Sequence, residues 1–71
     1  MKFVEVTDVA TNKAVLINLD QVPAMEAVPG PAGEMVTRLT FRDGSHMDVY
    51  ETSVEIMQLA REPVRGPGLL H

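Results

Sequence analysis

The pair Asp43-Gly44 constrains this chain more than any other feature, because it stands between two alternating runs, Glu34 to Arg42 and Ser45 to Glu51. Alternation of apolar and polar residues is the period of a strand with one buried face. Asp-Gly between two such runs signals a hairpin, since glycine reaches left-handed backbone without a steric penalty. Register then selects the loop. A two-residue Asp43-Gly44 loop sets Phe41 opposite His46 and Leu39 opposite Asp48, which mixes the faces. A three-residue loop, Arg42-Asp43-Gly44 with Gly44 left-handed, sets Phe41 opposite Ser45, Leu39 opposite Met47 and Thr37 opposite Val49. It also brings Arg38 opposite Asp48, Thr40 opposite His46 and Val36 opposite Tyr50. Apolar groups then meet each other and opposite charges meet, each pair contributing ~0.2–1 kcal/mol. A slip of one residue loses all of it. The three-residue loop is therefore the expected one.

The hairpin runs into a helix. Thr52-Ser53-Val54-Glu55 is a capping box, in which the Thr52 hydroxyl accepts from the Glu55 N–H and the Glu55 carboxylate accepts from the Thr52 N–H. The helix is expected to reach about Arg61, with Val54, Ile56, Met57, Leu59 and Ala60 on its apolar side. Pro63 disfavours helical backbone at Glu62 and sets the end. The tail from Pro63 to His71 has no periodicity and is expected to be disordered, with Leu69-Leu70 available to dock on a neighbour.

Upstream of the hairpin, Lys2 to Val9 reads as a strand and Thr11-Asn12-Lys13 as a turn. Ala14 to Leu19 reads as a second strand, apolar on both faces in the way of a strand buried on both sides. Asp20-Gln21 is a break. Val22 to Val28 continues extended, with Pro23 confining it to an edge or a bulge position. Helix competes for Gln21 to Ala27, because Ala24, Met25, Glu26 and Ala27 all favour it. Pro29-Gly30-Pro31-Ala32-Gly33 is a loop between the two halves. The expected fold is α+β: one domain over residues 1–62, a small, strongly bent antiparallel sheet of four or five strands, and one C-terminal helix.

Seventy-one residues make a single domain near the lower size limit for folding alone. The aromatics are Phe3, Phe41 and Tyr50, and there is no Trp. The absence of Cys excludes disulfides, thiolate metal ligands and a thiol nucleophile. A chain so short of burial often gains it by association, so a homo-oligomer or a protein partner is expected. The longest apolar run is Ala14 to Ile17, and the alternating acidic start after Met1-Lys2 does not resemble a secretion signal. The expectation is a cytoplasmic protein with no membrane insertion. Net charge is −4, and the basic residues (Lys2, Lys13, Arg38, Arg42, Arg61, Arg65) are scattered. Nucleic-acid affinity rests on clustered cations, so no nucleic-acid partner is expected.

Catalytic chemistry finds little to work with. Ser45 and His46 are neighbours, but on a strand they face opposite sides. His46 and Asp48 share one strand face and, with Asp43 or a glutamate, could ligate zinc or manganese. The ordinary account is preferred, in which His46 faces Thr40 and Asp48 pairs with Arg38, since two ligands do not make a site. Glu51 and Glu55 flank the helix cap, where negative charge is favoured anyway. No catalytic residue, metal ligand or cofactor is assigned, and the chain is not expected to be an enzyme. Interaction remains. The candidate surface is Val22, Met25, Val36 and Tyr50, with Val15 and Ile17 contributing wherever they are exposed. Strand addition at Val22 to Val28, or at whichever strand lies at the rim, is the matching mode.

Asn18-Leu19-Asp20-Gln21-Val22 with Met25-Glu26, then Thr37, Leu39, Phe41 and the Gly44 turn, then Val49-Tyr50-Glu51-Thr52-Ser53-Val54-Glu55-Ile56, make the chain resemble the small FlbD-like flagellar/swarming-motility protein family. The resemblance covers about Ala14 to Leu59. It implies the same strand, hairpin and helix arrangement, a setting in motility, and no catalytic residues. The Pro29–Gly33 loop and the tail depart from that pattern. The hairpin and helix alone are also similar to LytTR-type DNA-binding domains, whose function the acidic balance opposes.

Three functions follow as expectations. The first is a non-catalytic protein-interaction or assembly module. The second is a small acidic regulator or inhibitor, of the kind phages carry, covering a basic partner surface. The third is a metal-dependent hydrolase at His46 and Asp48.

Overall fold

A computed structural model of the chain describes residues 2–61. It is an α+β domain with two antiparallel sheets and one helix. Strands β1 (Phe3–Thr7) and β2 (Ala14–Asn18) form a hairpin, and β3 (Ala24–Pro29), β4 (Met35–Thr40) and β5 (His46–Val49) form a meander. A single 3-10 turn, Leu19–Gln21, joins the two units, and helix α1 (Ser53–Arg61) closes the described chain.

The sheets are joined at one point. Asp8 bridges Val49, with the Val9 N–H donating to the Asp48 carbonyl at 2.9 Å and the Tyr50 N–H to the Thr7 carbonyl at 3.0 Å. The strands thus follow one another as β2-β1-β5-β4-β3, with a single bridge where β1 meets β5. No ladder joins β2 to β3, so both lie at rims. Helix α1 packs against β1 and β3.

Alternation decides what enters the core. Val4 and Val6 of β1 face Ile17 and Val15 of β2, while Phe3, Glu5 and Leu16 point outward. Val4, Val6, Ile17, Val22, Leu39, Val49, Ile56 and Ala60 form one buried cluster, with Val15, Leu19, Met25, Phe41 and Met47 packed against it. At ~25 cal/mol per Å² of apolar surface, this cluster is the main stabilising term.

The hairpin has the expected register. Arg38 pairs with Asp48, Leu39 with Met47, Thr37 with Val49 and Thr40 with His46. Gly44 is left-handed at φ 91°, the Gly44 N–H donates to the Phe41 carbonyl at 3.0 Å, and Phe41 donates to Ser45 at 2.8 Å. The Asp43 carboxylate accepts from the Ser45 N–H at 2.9 Å and hydroxyl at 2.6 Å, which locks the loop. The capping box is formed, with Thr52 N–H to Glu55 Oε1 at 2.8 Å and Glu55 N–H to Thr52 Oγ1 at 3.0 Å. Gln21 to Ala27 resolves into the 3-10 turn and a strand, not an α-helix.

Three expectations are corrected. Tyr50 does not pair with Val36, because the β4–β5 ladder ends at Thr37 and Val49; the Tyr50 N–H donates to the Thr7 carbonyl across the β1–β5 junction. Strand β2 is buried on one face only, and Leu16 is 67% exposed, since none of the described elements stacks on the outer face of this two-stranded hairpin. Helix α1 turns only Ile56 and Ala60 inward. At about 100° per residue, Met57 and Leu59 fall on either flank of that stripe and Val54 opposite it, and all three are exposed. The disordered tail and the Leu69-Leu70 docking expected from sequence lie outside the described residues.

Candidate functional site

The outer face of the meander carries a line of charge. Glu26, Arg38 and Asp48 stand side by side across β3, β4 and β5. Arg38 meets Asp48 in a forked contact, Nε to Oδ1 at 2.9 Å and Nη2 to Oδ2 at 3.2 Å. The Arg38 hydrogen bond and charge hold the Asp48 carboxyl below the usual carboxylate range. The Ser45 hydroxyl and N–H do the same for Asp43.

Beside that line lies an open groove of about 600 Å³, lined by Asp8, Val9, Ala10, Pro31, His46 and Asp48 among others. Its carboxylates are already engaged. Asp8 accepts from the Ala10 N–H at 3.0 Å and the Thr11 hydroxyl at 3.3 Å, and Asp48 holds Arg38. Among the described residues, no three His, Cys, Asp or Glu side chains converge into a possible metal site. The Ser45 hydroxyl donates to Asp43, and His46 pairs across the ladder with Thr40. His46 and Asp48 therefore sit as ladder partners, in the arrangement preferred from sequence.

Val22, Met25, Val36 and Tyr50, the candidate interaction surface, do not come together. Val22 and Val36 are 9% and 2% exposed, so neither presents a surface. Val22 belongs to the central cluster because the 3-10 turn rotates it inward before β3 begins. Val36 lies on the opposite sheet face, outside that cluster, under the Pro29–Gly33 loop. A Cβ placed on Gly30 would meet Val36 Cγ1 at 2.8 Å, which shows how closely the loop covers it. Met25 is half-buried against the core, and Tyr50 alone is exposed.

Exposed apolar groups lie elsewhere. Phe3 and Leu16 sit on the outer face of the β1–β2 hairpin, diagonal to one another across the ladder. Val54, Met57 and Leu59 lie on α1. The alternation of β1 already marks Phe3 as outward once Val4 and Val6 are core. For Leu16 no sequence signal existed, because Ala14 to Ile17 is apolar on both faces.

Glu51 has a role that cap chemistry does not describe. Its carboxylate accepts from the Thr7 N–H at 2.7 Å and the Thr7 hydroxyl at 3.0 Å, 44 residues away in sequence. It ties the segment entering α1 to the end of β1. No helix among the described residues is long and apolar enough to cross a membrane. No family model, curated protein or solved structure matches this chain.

Proposed function

We propose that the chain is a non-catalytic protein-interaction or assembly module that associates with itself, acting in the cytoplasm without nucleic acid or cofactor. The observation that carries this reading is where the apolar residues lie. Phe3, Leu16, Val54, Met57 and Leu59 are each at least 40% exposed, against nine buried apolar residues among those described. Single exposed apolar groups are ordinary, but a small domain that leaves this much outside gains burial by association. The engagement of Asp8, Asp43 and Asp48 in local bonds supports a structural part for them. The likeness to the FlbD-like family adds motility as the first cellular setting to examine. Sedimentation of the purified chain over a wide concentration range tests the reading. Dimers or larger species are expected, and a folded monomer at high micromolar concentration refutes it.

A second reading, an acidic regulator that covers a basic protein, is favoured by the net charge of −4. Two of the few cations are also occupied: Arg38 by Asp48, and Arg42, whose Nε donates to the Asp20 carbonyl at 2.8 Å. Binding of a basic partner that weakens steeply with salt supports it, and salt-independent binding opposes it.

A further inference from the structure

The rims of the sheet differ in how they are protected. Exposed strand edges template pairing with other chains, and proteins blunt them with charge, proline or bulges. Strand β3 is blunted: Pro23 precedes it, Glu26 stands at its middle and Pro29 ends it. Strand β2, Ala14-Val15-Leu16-Ile17-Asn18, has neither charge nor proline. Its ladder is with β1, and among the described residues no ladder covers its other edge.

The unpaired groups of that edge follow from ladder parity. The Leu19 N–H donates to the Lys2 carbonyl at 2.8 Å and the Asp8 N–H to the Lys13 carbonyl at 2.9 Å, so Lys13 and Leu19 turn their bonding groups toward β1. Bonding alternates along an antiparallel strand, so Val15 and Ile17 do the same. Ala14, Leu16 and Asn18 therefore turn their N–H and C=O groups outward.

We propose that β2 pairs antiparallel with β2 of a second copy, about a two-fold axis at Leu16, to make a continuous β1-β2-β2-β1 sheet. This rests on the self-association proposed above and names its surface. The strand is nearly symmetric about Leu16: a β-branched residue on each side, then a small or short residue. Self-pairing sets Leu16 against the partner's Leu16, Val15 against the partner's Ile17 and Ala14 against the partner's Asn18. Leu16 exchanges both main-chain bonds with its counterpart, and the Asn18 N–H reaches the partner's Ala14 carbonyl. Leu16 meets Leu16 on one face and Val15 meets Ile17 on the other, and such side-chain contacts are what give strand addition its specificity. Charge agrees as well. None of the chain's ten acidic residues lies in β2, although the chain as a whole is acidic. Each end of the pairing brings Lys13 of one copy opposite the partner's Leu19, so no like charges meet. The outward Phe3 and Leu16 side chains of both copies become one apolar strip across the axis.

The test uses the full chain and two readouts. Sedimentation compares wild type with Leu16→Lys, which sets two like charges against each other on the axis. The dimer dissociation constant should rise about tenfold or more, while an unchanged thermal melt reports that the domain still folds, as the exposure of Leu16 allows. The second readout exploits the lack of native Cys. A hydrogen-bonded antiparallel pair holds its Cα atoms ~5.5 Å apart, inside the disulfide range. Leu16→Cys should oxidise to a covalent dimer much faster than Ala27→Cys on β3. A dimer that survives Leu16→Lys, with cross-linking no faster at 16 than at 27, overturns the β2 pairing and leaves self-association standing. A monomer at every concentration removes both.

Discussion

Glu51→Ala tests how the two sheets are held together. In the structure one carboxylate accepts both the N–H and the hydroxyl of Thr7, at 2.7 and 3.0 Å. Hydrogen bonds to a charged acceptor contribute ~1.5–3 kcal/mol each, and partial exposure of this pair reduces the combined loss to ~2–3 kcal/mol. A domain of this length is stable by roughly 4–10 kcal/mol, so the loss is a large share of the total. Urea unfolding followed by circular dichroism should show the midpoint fall with the slope unchanged. Glu51→Gln keeps an acceptor for the Thr7 N–H but replaces the other oxygen with a donor, and should lose only ~1 kcal/mol. Thr7→Val should lose a similar amount, and the Thr7→Val/Glu51→Ala double variant should lose less than the two single losses added. Amide exchange should quicken at Thr7 and Tyr50 first, because both N–H groups lie at the β1–β5 junction. If Glu51→Ala stays within ~0.5 kcal/mol of wild type, the clasp holds nothing and this account of the junction is wrong.

Gly30→Ala should destabilise by ~1–3 kcal/mol, because the added Cβ would stand 2.8 Å from Val36 Cγ1 and 3.0 Å from the Glu34 carbonyl oxygen; an unchanged melting temperature would show that the loop yields freely. Thr52→Ala should remove one side of the capping box, losing ~1 kcal/mol and some helical signal near 222 nm, a loss that Thr52→Ser should largely avoid. The carboxyl of Asp48 titrates below the ordinary 3.8, so its contribution to stability is complete above that value and disappears as pH falls through the lowered one. Asp48→Asn should accordingly lose stability near neutrality and show a shallower decline in acid, and parallel acid profiles for variant and wild type would contradict the assignment.

Local chemistry made much of this fold legible. The hairpin register follows from matching side chains across a turn that only Gly44 makes easy. The box at Thr52 and Glu55 is a contact between residues three apart and needs nothing from the rest of the molecule. The outward position of Phe3 follows from its alternation with Val4 and Val6. The candidate surface was less legible, because exposure depends on what covers a residue, and the covering groups come from distant sequence. Val36 looked available on its strand and is shut under the Gly30 loop. Val22 looked like a rim residue and is turned inward by the 3-10 turn. Met57 fits an apolar helix face, yet α1 is narrow enough in its contact that only Ile56 and Ala60 are covered.

What the sequence alone determined is therefore short-range: the Asp43-Gly44 loop, the pairing of Arg38 with Asp48, and the start of the helix at its cap. These are set by neighbours in sequence or by partners a few residues across a turn, where little conformational entropy is lost in meeting. The tertiary structure alone decided the long-range closures. It brought Thr7 to Glu51, placed Tyr50 against β1 instead of Val36, and, among the described residues, left β2 without a strand on its outer edge. Each of these depends on how two sheets meet around a shared core, and no local pattern of residues encodes that meeting.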